Sequence, residues 1–95
     1  MKDPDPAPHN APRPQRRLLH GLTVDVEDWF HILESTEAPS PATWAQQESR
    51  VAYNTMRLLD VFDRYRVRAT FFCLGWVAQT CPDLVRVIAG RGHEL

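Results

Sequence analysis

The stretch Val67-Arg68-Ala69-Thr70-Phe71-Phe72-Cys73-Leu74 most narrows what this chain can become. Eight nearly continuous apolar and β-branched residues read as a strand covered on both faces, the kind found in parallel sheets. What precedes it supports that reading. From Ser49, a plausible N-cap, the residues Val51, Thr55, Leu58, Leu59, Phe62 and Tyr65 recur at helical spacing and give one apolar face of about four turns. Charged residues, Arg57, Asp60, Asp63 and Arg64 among them, decorate the rest. An earlier apolar run, Leu18 to Val26, reads as a first strand. Gly75 closes the second, and Trp76 to Thr80 can form a helical turn. Pro82 and Asp83 then open another helix through Leu84, Val85, Val87 and Ile88, stopped by Gly90 and Gly92. His93-Glu94-Leu95 begins a third strand. The order is β-α-β-α-β, an α/β fold with a parallel sheet.

Two regions fall outside that pattern. Residues 1–17 hold five of the eight prolines and almost no large apolar side chain, so they are expected to be a disordered tail preceding a domain over 18–95. The connection from Asp28 to Trp44, with Pro39, Ser40 and Pro41, is expected to be irregular. A third strand starting at the end of the chain would leave an open parallel edge, so the sequence reads as the N-terminal portion of a larger barrel-like domain.

A formal net charge of −1 gives no field that would draw nucleic acid. The small basic group Arg13, Arg16 and Arg17 reads as a solvated linker. No apolar run approaches the roughly 20 residues needed to span a bilayer, and no leader pattern is visible, so a cytoplasmic location is expected. The two cysteines, Cys73 and Cys81, give no disulfide framework, and no pattern sets an oligomeric state.

The first strand ends unusually. Leu22-Thr23-Val24-Asp25-Val26-Glu27-Asp28-Trp29-Phe30 places three carboxylates at its exit. Buried charge without a partner is costly, and the carboxyl ends of strands are where α/β folds place ligands. The cluster is therefore a candidate metal site, against the plainer alternative of a solvated strand end with a capping Asp. Residues two apart on a strand share a face, so Asp25 and Glu27 would converge if the strand continues; Asp28 would converge instead if the chain turns after Val26. Trp29, beside the acids, presents an aromatic face that could receive a ligand, and His31 is placed to line the same loop. Trp76 is better explained as packing.

Three segments resemble the polysaccharide deacetylase family (the NodB-homology domain), in its branch near allantoinase-like proteins and the deacetylases of exopolysaccharide and exosortase gene clusters. They are Leu22 to Phe30, Arg68-Ala69-Thr70-Phe71-Phe72-Cys73-Leu74-Gly75-Trp76, and Pro82-Asp83-Leu84-Val85 through Gly92-His93-Glu94-Leu95. The resemblance implies a distorted (β/α) barrel, incomplete in this chain, that hydrolyses N-acetyl groups of an amino-sugar polysaccharide with a divalent metal, commonly zinc. It places the catalytic base at Asp25. The metal-binding acid falls on Glu27 or Asp28, because Val26 stands where the family's Thr-Phe-Asp-Asp motif has its second Asp. The family's His-x-x-x-His metal ligands would lie beyond Leu95, and His93 would be structural. The 95 residues alone are then expected to bind zinc weakly and to hydrolyse nothing. Two other readings remain: opening of a cyclic amide or ureide on the same scaffold, and a non-catalytic glycan-binding module.

Overall fold

A computed structural model describes residues 17–95, so the expected tail lies almost wholly outside the described residues. Two short parallel strands form the centre: β1, Thr23–Val26, and β2, Thr70–Cys73, in the register Thr23 to Thr70 through Val26 to Cys73. A third parallel partner begins on the other edge of β2, where Glu94 bridges Thr70. There the Phe71 amide donates to the Glu94 carbonyl at 2.7 Å, and the Glu94 amide donates to the Ala69 carbonyl at 3.0 Å. Helix α1, Val51–Tyr65, joins β1 to β2, while α2, Gly75–Thr80, and α3, Pro82–Gly90, carry the chain to Glu94. The expected β-α-β-α-β order is therefore observed as a mixed α/β arrangement with a small parallel sheet.

Both strands are shorter than the apolar runs predict. Residues Leu18 and Leu19 stay exposed and outside β1, because sheet pairing starts only where β2 lies alongside. β2 is also not covered on both faces: Phe71 is fully buried, whereas Phe72 is 59 % exposed. Gly75 does not end a strand but opens α2.

The core lies between the sheet and the helices. Phe71, Leu59, Ile88 and Val77 are fully buried with Val26, Val51, Phe62 and Leu84 around them. Burying each such side chain contributes on the order of 1.5–3 kcal/mol. From the predicted α1 face, Val51, Thr55, Leu59 and Phe62 point inward, but Tyr65 is exposed. Helix α1 closes on Arg66 in the left-handed conformation, with the Val67 amide donating to the Phe62 carbonyl at 2.9 Å. Arg91, beyond α3, reaches back to α1 with Nη1 at 2.7 Å from Asp60 and 3.0 Å from Asp63. Gly92 has a φ of +86°, and a β-carbon there would collide with the Arg68 guanidinium, which donates to the Gly92 carbonyl at 2.9 Å. That clasp helps set the third strand against β2. Among the described residues, no helix is long and apolar enough to cross a membrane.

Candidate active site at the exit of the first strand

Hydrogen-bonded pairing of β1 stops at Val26, yet alternation continues four residues further. Thr23, Asp25, Glu27 and Trp29 face solvent, while Val26, Asp28 and Phe30 are buried at 2 %, 3 % and 0 % exposure. The cause is backbone shape: Asp28 keeps extended angles, φ −94° and ψ 165°, so the two-residue period persists. Asp25 and Glu27 therefore lie on one side and Asp28 on the other, which separates the carboxylates that the sequence placed in one cluster. The two exposed acids border a cleft of about 340 Å³ between β1 and the first turns of α1, shared with Trp29, Arg50, Asn54 and Leu58. They also border a smaller depression on the β2 side, beside Phe72 and Cys73.

Asp28 is enclosed by donors. Its Oδ1 accepts from the Trp29 amide at 3.1 Å and the Arg50 amide at 3.1 Å. Its Oδ2 accepts from the Ser49 hydroxyl at 2.6 Å, from the Arg50 amide at 3.0 Å and from the Val51 amide at 3.2 Å. Burial alone would push this carboxyl up, but the bonds from Ser49, Arg50, Trp29 and Val51 outweigh it and hold the group below the usual carboxylate range. This corrects the expected N-cap. Helix α1 begins after Arg50, whose own side chain caps nothing, and Ser49 donates to Asp28 instead of accepting from the helix. The orphaned amides at the start of α1 are satisfied by a carboxylate more than twenty residues upstream.

His31 takes the opposite position to Trp29. It ends a 3₁₀ turn, Trp29–His31, and is 5 % exposed, with Nδ1 accepting from the Asp28 amide at 2.8 Å. That bond puts the proton of the neutral ring on Nε2. Burial lowers the pKa of the imidazole against the opposing pull of Asp28 and Glu27. Its ring lies edge-on to Phe30, Trp44 and Trp76, with centroids 4.4, 4.5 and 4.9 Å away. Trp44 comes from a second 3₁₀ segment, Pro41–Gln46, so the connection expected to be irregular is partly built on this aromatic cluster. Trp29 is 44 % exposed and held in place: its Nε1 donates to the Glu48 carbonyl at 2.8 Å and Arg50 stacks over its ring at 5.9 Å.

Sequence reasoning missed Arg50 and Asn54 as cleft residues. Their spacing of four on the strand-facing side of the α1 start was the available signal. A metal site is not complete here. Among the described residues, no three His, Cys, Asp or Glu side chains gather closely enough to hold a cation. Zinc takes four ligands in structural sites and three from the protein in catalytic ones, so two exposed carboxylates do not fit it unaided.

Residues 42–95, just over half of the chain, match the polysaccharide deacetylase family. The match covers α1, β2, α2 and α3 and begins after the acidic run. A chitooligosaccharide deacetylase of Rhizobium leguminosarum bv. trifolii is 51 % identical over 39 residues, 41 % of this chain and 18 % of that protein. One of Sinorhizobium fredii is 44 % identical over 41 residues, 43 % of this chain and 19 % of that protein. The matched segment thus spans about a fifth of these curated relatives. No solved structure matches.

Proposed function

The chain belongs to the polysaccharide deacetylase family, and on that premise we propose that the whole protein hydrolyses acetamido groups on an oligomeric or polymeric amino sugar. Two relatives carry the name chitooligosaccharide deacetylase, which supports an N-acetylated glucosamine oligomer as the substrate class. The observation that carries the site is the outward pairing of Asp25 with Glu27 beside a cleft at the carboxyl end of β1. In this reading Asp25 is the general base. It takes a proton from water as the water oxygen bonds to the acetamide carbon; the C–N bond then breaks, the amine takes up a proton and acetate leaves. Trp29, held by Glu48 and Arg50, presents a ring face for a pyranose to stack on. His31 faces inward, so it would reach substrate only through the Phe30 and Trp29 rings it supports.

The whole protein would also hold a divalent cation, zinc by resemblance, with a carboxylate from Glu27 or Asp28 and imidazoles from outside the described residues. When bound, such an ion acidifies water and polarises a carbonyl. The parallel β-α-β-α-β order supports placing these elements at the start of a (β/α) barrel. The ureide-opening reading draws no support from the relatives.

The test is acetate release from acetylated chitooligosaccharides by the intact protein and its Asp25→Asn variant. Acetate release that falls to background in the variant supports the assignment. Wild-type turnover in Asp25→Asn, or an intact protein that opens ureides and releases no acetate, would overturn it.

A further inference from the structure

We infer that Asp28 is a positioning residue that fastens the exit of β1 to the start of α1, and that it does not ligate a cation, which leaves Glu27 as the carboxylate of this run available for one. The inference rests on the deacetylase reading, and it decides between the two acids which that reading leaves open.

The geometry points one way. A carboxylate offers about four lone-pair positions. Those of Asp28 meet Trp29, Arg50, Val51 and Ser49 donors between 2.6 and 3.2 Å, and the residue is 3 % exposed. A cation entering there would have to displace backbone amides at the start of a 15-residue helix, which would be left unpaired in a buried position. Among the described residues Glu27 has no such partners, and it stands on the same side as Asp25.

The backbone of Asp28 is fixed as well. Its amide donates to His31 Nδ1 at 2.8 Å, and its carbonyl accepts from the His31 amide at 3.1 Å. Side chain and main chain together tie one residue to the helix and to the aromatic cluster. The two outward acids lie within three positions of it, and their direction follows from where Asp28 is anchored. Loss of this anchor would leave Asp25 chemically intact but misaimed. A displacement of about 1 Å at a reacting group can cost roughly a hundredfold in rate.

The experiment uses the intact protein in four forms: wild type, Asp28→Asn, Ser49→Ala and Glu27→Gln. Each is melted before and after chelator treatment, its zinc content is measured after dialysis against zinc, and kcat and KM are separated on an acetylated chitooligosaccharide. If Asp28 is an anchor, Asp28→Asn lowers the melting temperature by about 3 °C or more, equally in the chelated and zinc-loaded protein. It keeps its zinc, and kcat falls at least tenfold with KM little changed. Ser49→Ala gives a smaller version of the same pattern and serves where Asp28→Asn does not fold. Glu27→Gln leaves the chelated protein's melting unchanged and loses zinc. An Asp28→Asn protein that melts like wild type when chelated, or that loses zinc while Glu27→Gln retains it, would overturn the inference. So would a Ser49→Ala protein indistinguishable from wild type in both melting and kcat. Absence of acetate release by the wild type would count against the deacetylase reading and leave the melting and zinc results to judge the anchor.

Discussion

The two parallel strands leave the sheet in contrasting ways. β2 passes through Leu74 directly into α2, whose first turn has no side-chain cap and whose place is set by packing: Val77 is fully buried, and Trp76 lies edge-on to Phe30 at 5.5 Å. β1 instead stays extended beyond its last pair, exposes Asp25 and Glu27, and buries Asp28 under the start of a helix that begins more than twenty residues later. One exit is held by shape and the other by a saturated carboxylate. Where a helix follows at once, apolar contact suffices. Where like charges must be kept facing solvent beside a long connection, a buried ion with every lone pair used supplies direction that packing alone would not. The proposed chemistry belongs to the second kind of exit.

The sharpest way to break this contrast is to remove reactivity from one exit and shape from the other. Asp25→Asn should lower kcat by roughly 10²–10⁴-fold, the usual contribution of a general base, with melting unchanged because the side chain is exposed. Cys73→Ser at the other exit should keep kcat within about twofold, since no proton transfer is assigned there. A large rate loss from the cysteine change would mean that both exits carry the reaction.

Next in size is Asp28→Ala. It leaves the donors of Trp29, Ser49, Arg50 and Val51 without their acceptor, and unfolding measurements should show a loss of about 3 kcal/mol. Leu74→Ala, on a residue 37 % exposed, should cost about 1 kcal/mol or less. Equal losses would erase the distinction between a polar anchor and a packed exit.

How far the sequence showed this follows from the same contrast. The order of elements was legible because α1 and β2 carry strong 3.6-residue and continuous apolar patterns, and these depend on neighbours close in sequence. The outward pairing of Asp25 with Glu27 was legible too, as one branch of a choice that hinged on whether the chain stays extended after Val26. The partner of Asp28 was not. A strand end and a helix start more than twenty positions apart meet only through tertiary packing, and Ser49 looked like a cap because local propensity cannot show that a distant carboxylate has taken its place. The aromatic cluster around His31 was hidden for the same reason, since Trp44 and Trp76 reach it from different elements. Tyr65 misled in the other direction: it fits the helical period but is the last residue of α1 and stays 69 % exposed.

A smaller effect sharpens the role of the exposed ring. Trp29→Ala should raise KM for an acetylated chitooligosaccharide about tenfold at nearly constant kcat, equivalent to about 1.4 kcal/mol of stacking lost from ground and transition states alike. His31→Phe keeps an aromatic ring in the buried cluster and should leave KM within about twofold. A KM rise in His31→Phe that matches Trp29→Ala would place the imidazole on the substrate itself.

Acid acts on the ties that hold the β1 exit. Burial keeps the folded pKa of His31 below its ordinary value near 6.5. The unfolded chain therefore takes up a proton before the folded one does, so stability is full above about pH 6.5 and erodes as pH falls toward the folded pKa. Protonation would also turn Nδ1 from acceptor to donor against the Asp28 amide. Asp28 adds a second, more acidic loss. Despite the upward push of burial, hydrogen bonds led by Ser49 hold its folded pKa below the unfolded value, so its contribution persists above about pH 4 and disappears as pH falls through the folded pKa. Melting temperature followed downward from neutrality should fall in two stages. His31→Phe should flatten the upper stage and spare the lower one, whereas Asp28→Asn should remove the lower. An upper stage unchanged in His31→Phe would show that another group titrates there, and the β1 exit would then owe its acid sensitivity to Asp28 alone.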